Sequence, residues 1–385
     1  MQPVAQRRLD PTLKSVEAEY FEQELHQRVV GQGEAVQAMV DLYQTFRAGL
    51  NPPGRPVGNF LFLGPSGTGK THIVEALAEI FFNDSRAVIK VNCAEFQHSH
   101  EIAKLIGSPP GYLGHRETHP LITKEALEQW QREDLKLSLL LFDEIEKASD
   151  ALWQLLLGML DKATLTLGDN RQVDLSQTII FLTSNLGSRE IETLLRGPGI
   201  GFTPTAEDLS QSKVEASATN AARSRFSPEF INRLDRMVVF HPLSDKQLDA
   251  VLSIEIDNVQ RRILKMETGR FLIQISKSAR KFLLDEGTDA RYGARHLRRA
   301  IEKNVVSMLA NLLSSKQIVF GDLISINYEP SGLTFTKEAE GVYTENEAVE
   351  NIEPIISVEA LKSHTEDVSE PIHHVSKKAQ GEQKK

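Results

Sequence analysis

The chain has 385 residues, 40% hydrophobic and 25% charged, which suits a soluble globular protein with a sizeable core, two domains and a tail. A net charge of −9 argues against a general coat of basic residues for nucleic acid. The single cysteine, Cys93, excludes an internal disulfide and a thiolate metal cluster, no apolar run approaches the ~18 residues of a membrane span, and the polar first residues lack a secretory stretch, so a cytoplasmic location is expected.

Residues 1–24 read as a polar N-terminal extension. Val36, Met39, Val40, Tyr43 and Phe46 then recur at helical steps until Asn51-Pro52-Pro53-Gly54 breaks the pattern. Short apolar runs at 59–63, 87–91, 137–142, 178–183 and 237–240 read as five strands separated by helices, one of them with the face Ile73, Leu77, Ile80 and Phe81. Apolar strands alternating with helices predict an α/β fold whose parallel sheet is covered on both faces. After Pro242 the pattern becomes mainly helical, with Leu248, Leu252, Ile256, Val259 and Ile263 on one face, strands at 271–275 and 318–328, and helices near 278–285 and 294–313. This divides the chain into a large domain at 25–242, a smaller domain at 243–330, and a tail at 336–385 whose Glu, Ser, Thr and Lys predict disorder.

Gly64-Pro65-Ser66-Gly67-Thr68-Gly69-Lys70-Thr71 satisfies the P-loop pattern between a predicted strand and a predicted helix. Its glycines let backbone amides converge on phosphate oxygens, and the helix that follows presents its positive end to the same anion. Lys70 is expected to reach the outer phosphates of ATP and Thr71 to hold Mg²⁺. The strand Leu139-Leu140-Leu141-Phe142 ends in Asp143 and Glu144. Asp143 is expected to assist Mg²⁺, as in a Walker B strand, and Glu144 to polarise the attacking water.

With these motifs in place, the stretch from Val29 to Tyr328 resembles the second ATPase module of the two-module Clp ATPases of the AAA+ superfamily (ClpA, ClpB and ClpC types). Besides the P-loop, the resemblance rests on Val29-Val30-Gly31-Gln32, Gly107-Ser108-Pro109-Pro110-Gly111-Tyr112-Leu113-Gly114 and Asp143-Glu144-Ile145-Glu146-Lys147. It rests equally on Thr183-Ser184-Asn185-Leu186-Gly187, Pro228-Glu229-Phe230-Ile231-Asn232-Arg233 and Tyr292-Gly293-Ala294-Arg295. It implies a P-loop NTPase core with a five-stranded parallel sheet, followed by a small helical lid. It also implies a homo-oligomeric ring, a hexamer in the family, that hydrolyses ATP to thread unfolded or tagged protein through a pore.

The resemblance assigns further roles. Val29 and Val30 line the adenine pocket, Asn185 resembles sensor 1, Arg233 the arginine finger offered to a neighbouring subunit, and Arg295 sensor 2. Arg291, Arg298 and Arg299 read instead as a solvated helix face. Tyr112 resembles the pore-loop aromatic that grips substrate. Its loop departs from the family at His115-Arg116-Glu117-Thr118-His119-Pro120, where Pro120 and the glycines argue against a helical metal site despite the histidine spacing. Ile200-Gly201-Phe202 resembles the tripeptide by which peptidase-coupled Clp ATPases dock a barrel peptidase. The family's substrate-binding N-terminal domain, first ATPase module and coiled-coil middle domain have no counterpart in residues 1–24, which leaves recruitment of substrate open. Three readings follow: an unfoldase delivering protein to a peptidase, a stand-alone disaggregase, and an AAA+ remodeller of nucleic-acid complexes, the last disfavoured by the acidic balance.

Overall fold

The alternation of strand and helix is realised as a parallel sheet in the computed structural model, which describes residues 10–108, 119–188, 191, 211–266, 269–288 and 293–341. In chain order the elements are α1 Val16–Arg28, α2 Gly33–Arg47, β1 Gly58–Leu63, α3 Lys70–Phe82, β2 Ile89–Asn92, α4 Ala103–Ile106, α5 Lys124–Glu128 and β3 Ser138–Asp143. They continue with α6 Asp150–Lys162, the small hairpin β4 Thr164–Thr166 and β5 Gln172–Asp174, then β6 Thr178–Ser184, α7 Gln211–Arg225, α8 Pro228–Ile231 and β7 Arg236–Val239. The last are α9 Asp245–Leu264, β8 Leu272–Ile275, α10 Lys277–Gly287, α11 Ala294–Ile301, α12 Ser307–Ser314, β9 Leu323–Glu329 and β10 Gly332–Ala339.

All five expected strands join one sheet in the order β2-β3-β6-β1-β7, every pairing parallel. Because side chains alternate across a strand, Phe60, Phe62, Leu139, Leu141 and Phe181 enter the core shared with Phe21, Met39, Ile73 and Leu77 of α1 to α3. Leu61, Leu63, Leu140, Phe142 and Leu182 enter the opposite core, with Leu152 and Leu156 of α6 and Ala218 of α7. Both faces are covered, which is why the strands read as continuous apolar runs rather than alternating ones. Phe62 is fully buried with its ring 5.5 Å from that of Phe181, so Phe62→Ala would cost about 3–5 kcal/mol.

The strand order has a direct consequence for chemistry. Leu63 at the end of β1 lies in register with Ser184 at the end of β6, and Phe142 of β3 with Leu182. The residues that follow these strands, Gly64, Glu144 and Asn185, therefore emerge together at the carboxyl edge of the sheet, where α/β folds place their ligands.

The strand expected at 318–328 is formed at Leu323–Glu329, and two other stretches also differ from the sequence reading. Within the polar lead-in, Ser15 caps α1 by accepting from the Ala18 amide (3.2 Å), and Ala18, Phe21 and Leu25 are buried. Overall polarity hides this strip because only one narrow helical face is apolar. Beyond β9, the chain turns at Pro330-Ser331 and returns as the antiparallel β10, which runs to Ala339 inside the stretch assigned to the tail. An edge strand only partly buried carries too weak an apolar signal to be read from its sequence.

By contacts the chain forms two units, residues 1–255 with 277–308, and residues 256–276 with 309–385. The first holds the sheet, its helices, the start of α9, and α10 and α11. The second has its own sheet in the order β10-β9-β8. There the Gln260 side chain donates to Phe271 O (2.9 Å) and accepts from the Ile273 amide (2.8 Å), fastening α9 to β8. The fully buried Asp322 is met by Lys337 of β10 at 2.9 Å. Among the described residues no helix is long and apolar enough to cross a membrane.

Candidate active site

The P-loop leaves β1 at Gly64, whose φ of +133° puts it in the region that favours glycine. A Cβ there would lie 2.4 Å from the Phe240 carbonyl oxygen, so no other residue fits without moving β7. Thr68 Oγ donates to Pro65 O at 2.9 Å and closes the turn. From behind, the buried Gln32 donates to Thr68 O (3.1 Å) and His241 O (2.9 Å) and accepts from the His241 amide (3.1 Å). One side chain thus ties the loop to the end of β7. Lys70 opens α3, and its Nζ donates to Gly64 O and Pro65 O, both at 2.7 Å, and to Asn185 Oδ1 at 3.0 Å. Burial pulls the Lys70 pKa down to about 8; Glu146, Asp143 and Glu144 act against that, and Arg295 adds to it. A phosphate placed beside it supplies the anion that burial makes the ammonium need.

Asp143 ends β3 facing this lysine's helix. Its Oδ1 accepts from the Thr183 hydroxyl, and the Thr71 hydroxyl lies 3.4 Å away. Hydroxyl and carboxylate are the hard oxygen donors that Mg²⁺ takes, and their convergence on one point fits such an ion. Glu144 adopts left-handed backbone angles (φ 58°, ψ 50°), a conformation that costs a non-glycine residue about 1 kcal/mol or more. Its amide donates to Thr183 Oγ (3.1 Å), so one threonine hydroxyl braces both acids. The turn directs the Glu144 carboxylate toward Asn185, whose Nδ2 donates to Oε1 at 3.3 Å, while Lys147 donates to Oε2 at 2.6 Å. Asn185 therefore bridges Lys70 and Glu144, and its own amide is held by Glu146 Oε1 (3.1 Å).

These groups line a cavity of about 330 Å³ within the first unit. Val29, Val30, Leu243, Val251 and Ile254 supply its apolar lining, and Ser66 to Thr71, Asp143, Glu144, Asn185 and Arg295 the polar one. Helix α11 begins against the loop itself: the Ala294 amide donates to Gly67 O at 3.1 Å. A Cβ on Gly293 would sit 2.7 Å from that same oxygen, which explains a glycine just before Ala294 and Arg295. Arg298 is exposed, as expected for a solvated face, and it also borders the cavity and pairs with Glu255 of α9 at 2.6 Å. One turn from Arg295, it shares that residue's face.

Arg233 lies elsewhere. Its carbonyl accepts from the Asn59 side chain (3.2 Å) at the start of β1, whereas the P-loop follows the end of that strand, about 15 Å away by strand rise. Its guanidinium meets Glu229 at 3.0 Å and Asp161 at 3.7 Å, and Nη1 is buried without a hydrogen-bond partner. Tyr112, Tyr292 and the tripeptide Ile200, Gly201 and Phe202 lie outside the described residues.

Residues 55–237 match the family described as AAA domain, Cdc48 subfamily, and residues 243–326 match the C-terminal D2-small domain of ClpB protein. The chain belongs to the Clp ATPases of the AAA+ superfamily. Chaperone protein ClpB of Meiothermus ruber is 38% identical over 82% of this chain and 34% of its own length. Chaperone protein ClpB 1 of a Nostoc strain is 35% identical over 83% and 34%. Among solved structures, a closed-state reconstruction of Hsp104 with ATPγS and FITC-casein superposes with a TM-score of 0.68 at 28% identity, covering 85% of this chain and 53% of that one. An extended S. cerevisiae Hsp104–casein complex gives 0.70 at 29%, covering 84% and 53%. The chain thus spans about a third of the length of the curated relatives it matches.

Proposed function

We propose that this Clp module hydrolyses Mg·ATP at the cavity above and uses the cycle to remodel protein chains, working as a ring. The observation that carries the reading is the bridge Lys70–Asn185–Glu144 beside Thr71 and Asp143. Lys70 turns from its loop carbonyls to the β- and γ-phosphate oxygens, which the P-loop amides also meet. Thr71 and Asp143 hold Mg²⁺, which when bound neutralises charge on those oxygens. Glu144 orients the attacking water and takes its proton, and Asn185 keeps base and lysine in register. The water oxygen bonds to the γ-phosphorus as the bond to the bridging oxygen breaks, and ADP leaves. Arg295 reports the γ-phosphate from α11.

Arg233 is too far from its own loop to act there, so its role is in trans, on a neighbour's nucleotide. An arginine supplied in this way raises rates by roughly 10³–10⁵ in related NTPases. Tyr112 grips the translocating chain. The resemblance to ClpB and Hsp104 chaperones supports remodelling without a peptidase, while Ile200-Gly201-Phe202 is the feature that supports delivery to one. Deleting those three residues abolishes peptidase-dependent proteolysis under the delivery reading alone.

The direct test is Glu144→Gln. Nucleotide binding persists in this variant, hydrolysis falls by at least about a hundredfold, and assemblies with bound ATP accumulate on native mass measurement. Lys70→Ala removes nucleotide binding itself. Turnover at the normal rate in either variant would refute the site. Stimulation of the ATPase by unfolded protein and not by DNA separates chain remodelling from nucleic-acid remodelling.

A further inference from the structure

The Arg298–Glu255 pair has an asymmetry that a simple strut does not need. Arginine and carboxylate commonly meet through two parallel bonds that use both oxygens. Here Nε (3.1 Å) and Nη2 (2.6 Å) of Arg298 both donate to Glu255 Oε1. Oε2 accepts no hydrogen bond among the described residues, yet Glu255 is only 15% exposed and lines the nucleotide cavity. A fixed carboxylate with one oxygen in reserve is a hydroxyl acceptor waiting for a donor.

Its position says which donor. On α9, Glu255 follows Ile254 directly and Val251 by one turn, and both are apolar cavity residues. On α11, Arg298 follows Arg295 by one turn, and that helix starts on P-loop Gly67. The pair thus joins the wall that offers an apolar slot for a base to the wall that faces the phosphates. Between the base and phosphates of a nucleotide lies the sugar, which carries vicinal hydroxyls as its only hydrogen-bond donors. A carboxylate accepting from ribose hydroxyls is a recurring solution in nucleotide sites.

We infer that Glu255, held by Arg298, is a specificity-determining residue that accepts a hydrogen bond from the ribose 2′- or 3′-hydroxyl and so selects ribonucleotides. This rests on the cavity being the ATP site. A hydrogen bond to a charged acceptor is strong enough to change affinity by about tenfold or more when it is lost.

The test is calorimetric titration of the intact chain with ATP, 2′-deoxy-ATP and 3′-deoxy-ATP. The wild-type protein is expected to bind ATP about tenfold more tightly than at least one deoxy analogue. In Glu255→Gln and Glu255→Ala that ratio collapses to within about twofold, through weaker ATP binding rather than tighter binding of the analogue. Equal wild-type affinities for all three nucleotides overturn the inference. So does a Glu255 variant that weakens all three alike, which marks the pair as a wall strut only. Failure of every nucleotide to bind the wild-type protein would instead remove the ATP-site reading on which this stands.

Discussion

Thr183 shows how much of this site depends on a residue with no chemistry of its own. Its hydroxyl is fully committed, donating to Asp143 and accepting from the Glu144 amide, and the residue is buried at the end of β6. Valine keeps the shape and removes both bonds. Thr183→Val should therefore lower kcat about ten- to a hundredfold while ATP affinity changes less than threefold, since the P-loop contacts remain. The leftover Glu144 amide would lower stability by about 1–2 kcal/mol, read from the denaturant midpoint. Loss of ATP binding with kcat intact would show that Thr183 supports the loop rather than the acids. Gln32, Thr183 and Glu144 all stand in sequence motifs, but only for Glu144 does the motif itself suggest the role proposed above. A second acid at the end of an apolar strand, downstream of a P-loop, sits where the attacking water must be activated. Gln32 and Thr183 act through hydrogen bonds to groups distant in sequence, and no spacing rule encodes those. The pairing of Arg298 with Glu255 is illegible for a related reason: the two stand on different helices, and an exposed arginine does not name its partner.

At the scale of elements, the sheet is legible because its three central strands, β1, β3 and β6, are buried on both sides and so consist of nearly unbroken apolar residues. The ends of the five strands of this sheet fall within about two residues of their expected places, and the P-loop fixes β1 and α3 together. α1 and β10 escape a sequence reading since each buries a single narrow strip. The joint between the P-loop and β7 is equally unreadable, yet it sets a pH dependence. His241 sits at the end of β7 with Glu215 3.6 Å from its Nε2. Burial lowers its pKa below the ordinary 6.5, and Glu215 offsets this only in part. The unfolded chain then holds more protons than the folded one as pH falls through 6.5, so folding stability drops on acidification and is restored above it. His241→Gln keeps the backbone amide that Gln32 needs and removes the titrating ring. Its denaturation midpoint should change less than the wild-type midpoint between about pH 7 and pH 5. Identical slopes in the two proteins would place the acid sensitivity elsewhere.

For the whole molecule, the separation of Arg233 from the P-loop is the most consequential geometry. A sheet has two ends; this one carries the P-loop, Glu144 and Asn185 at its carboxyl edge and Arg233 beside the start of β1. No side chain spans the roughly 15 Å between them, so a hydrolytic role for Arg233 requires a second copy. This makes a sharp prediction about mixtures. Arg233→Ala subunits have sound nucleotide sites but offer no arginine to a neighbour; Glu144→Gln subunits have dead sites but offer a sound arginine. Each homogeneous preparation should hydrolyse ATP at about a hundredth of the wild-type rate or less. Mixed under conditions where subunits exchange, they should recover activity, because an Arg233→Ala site beside a Glu144→Gln neighbour is complete. With random mixing of equal amounts, about half of the Arg233→Ala sites, and so about a quarter of all sites, meet such a neighbour. Recovery toward that fraction, absent when either variant is diluted with buffer alone, places the arginine in trans. Mixed assemblies that form by mass measurement and yet stay inactive would confine Arg233 to its ion pairs with Glu229 and Asp161 and leave the catalytic set without an arginine from the neighbour.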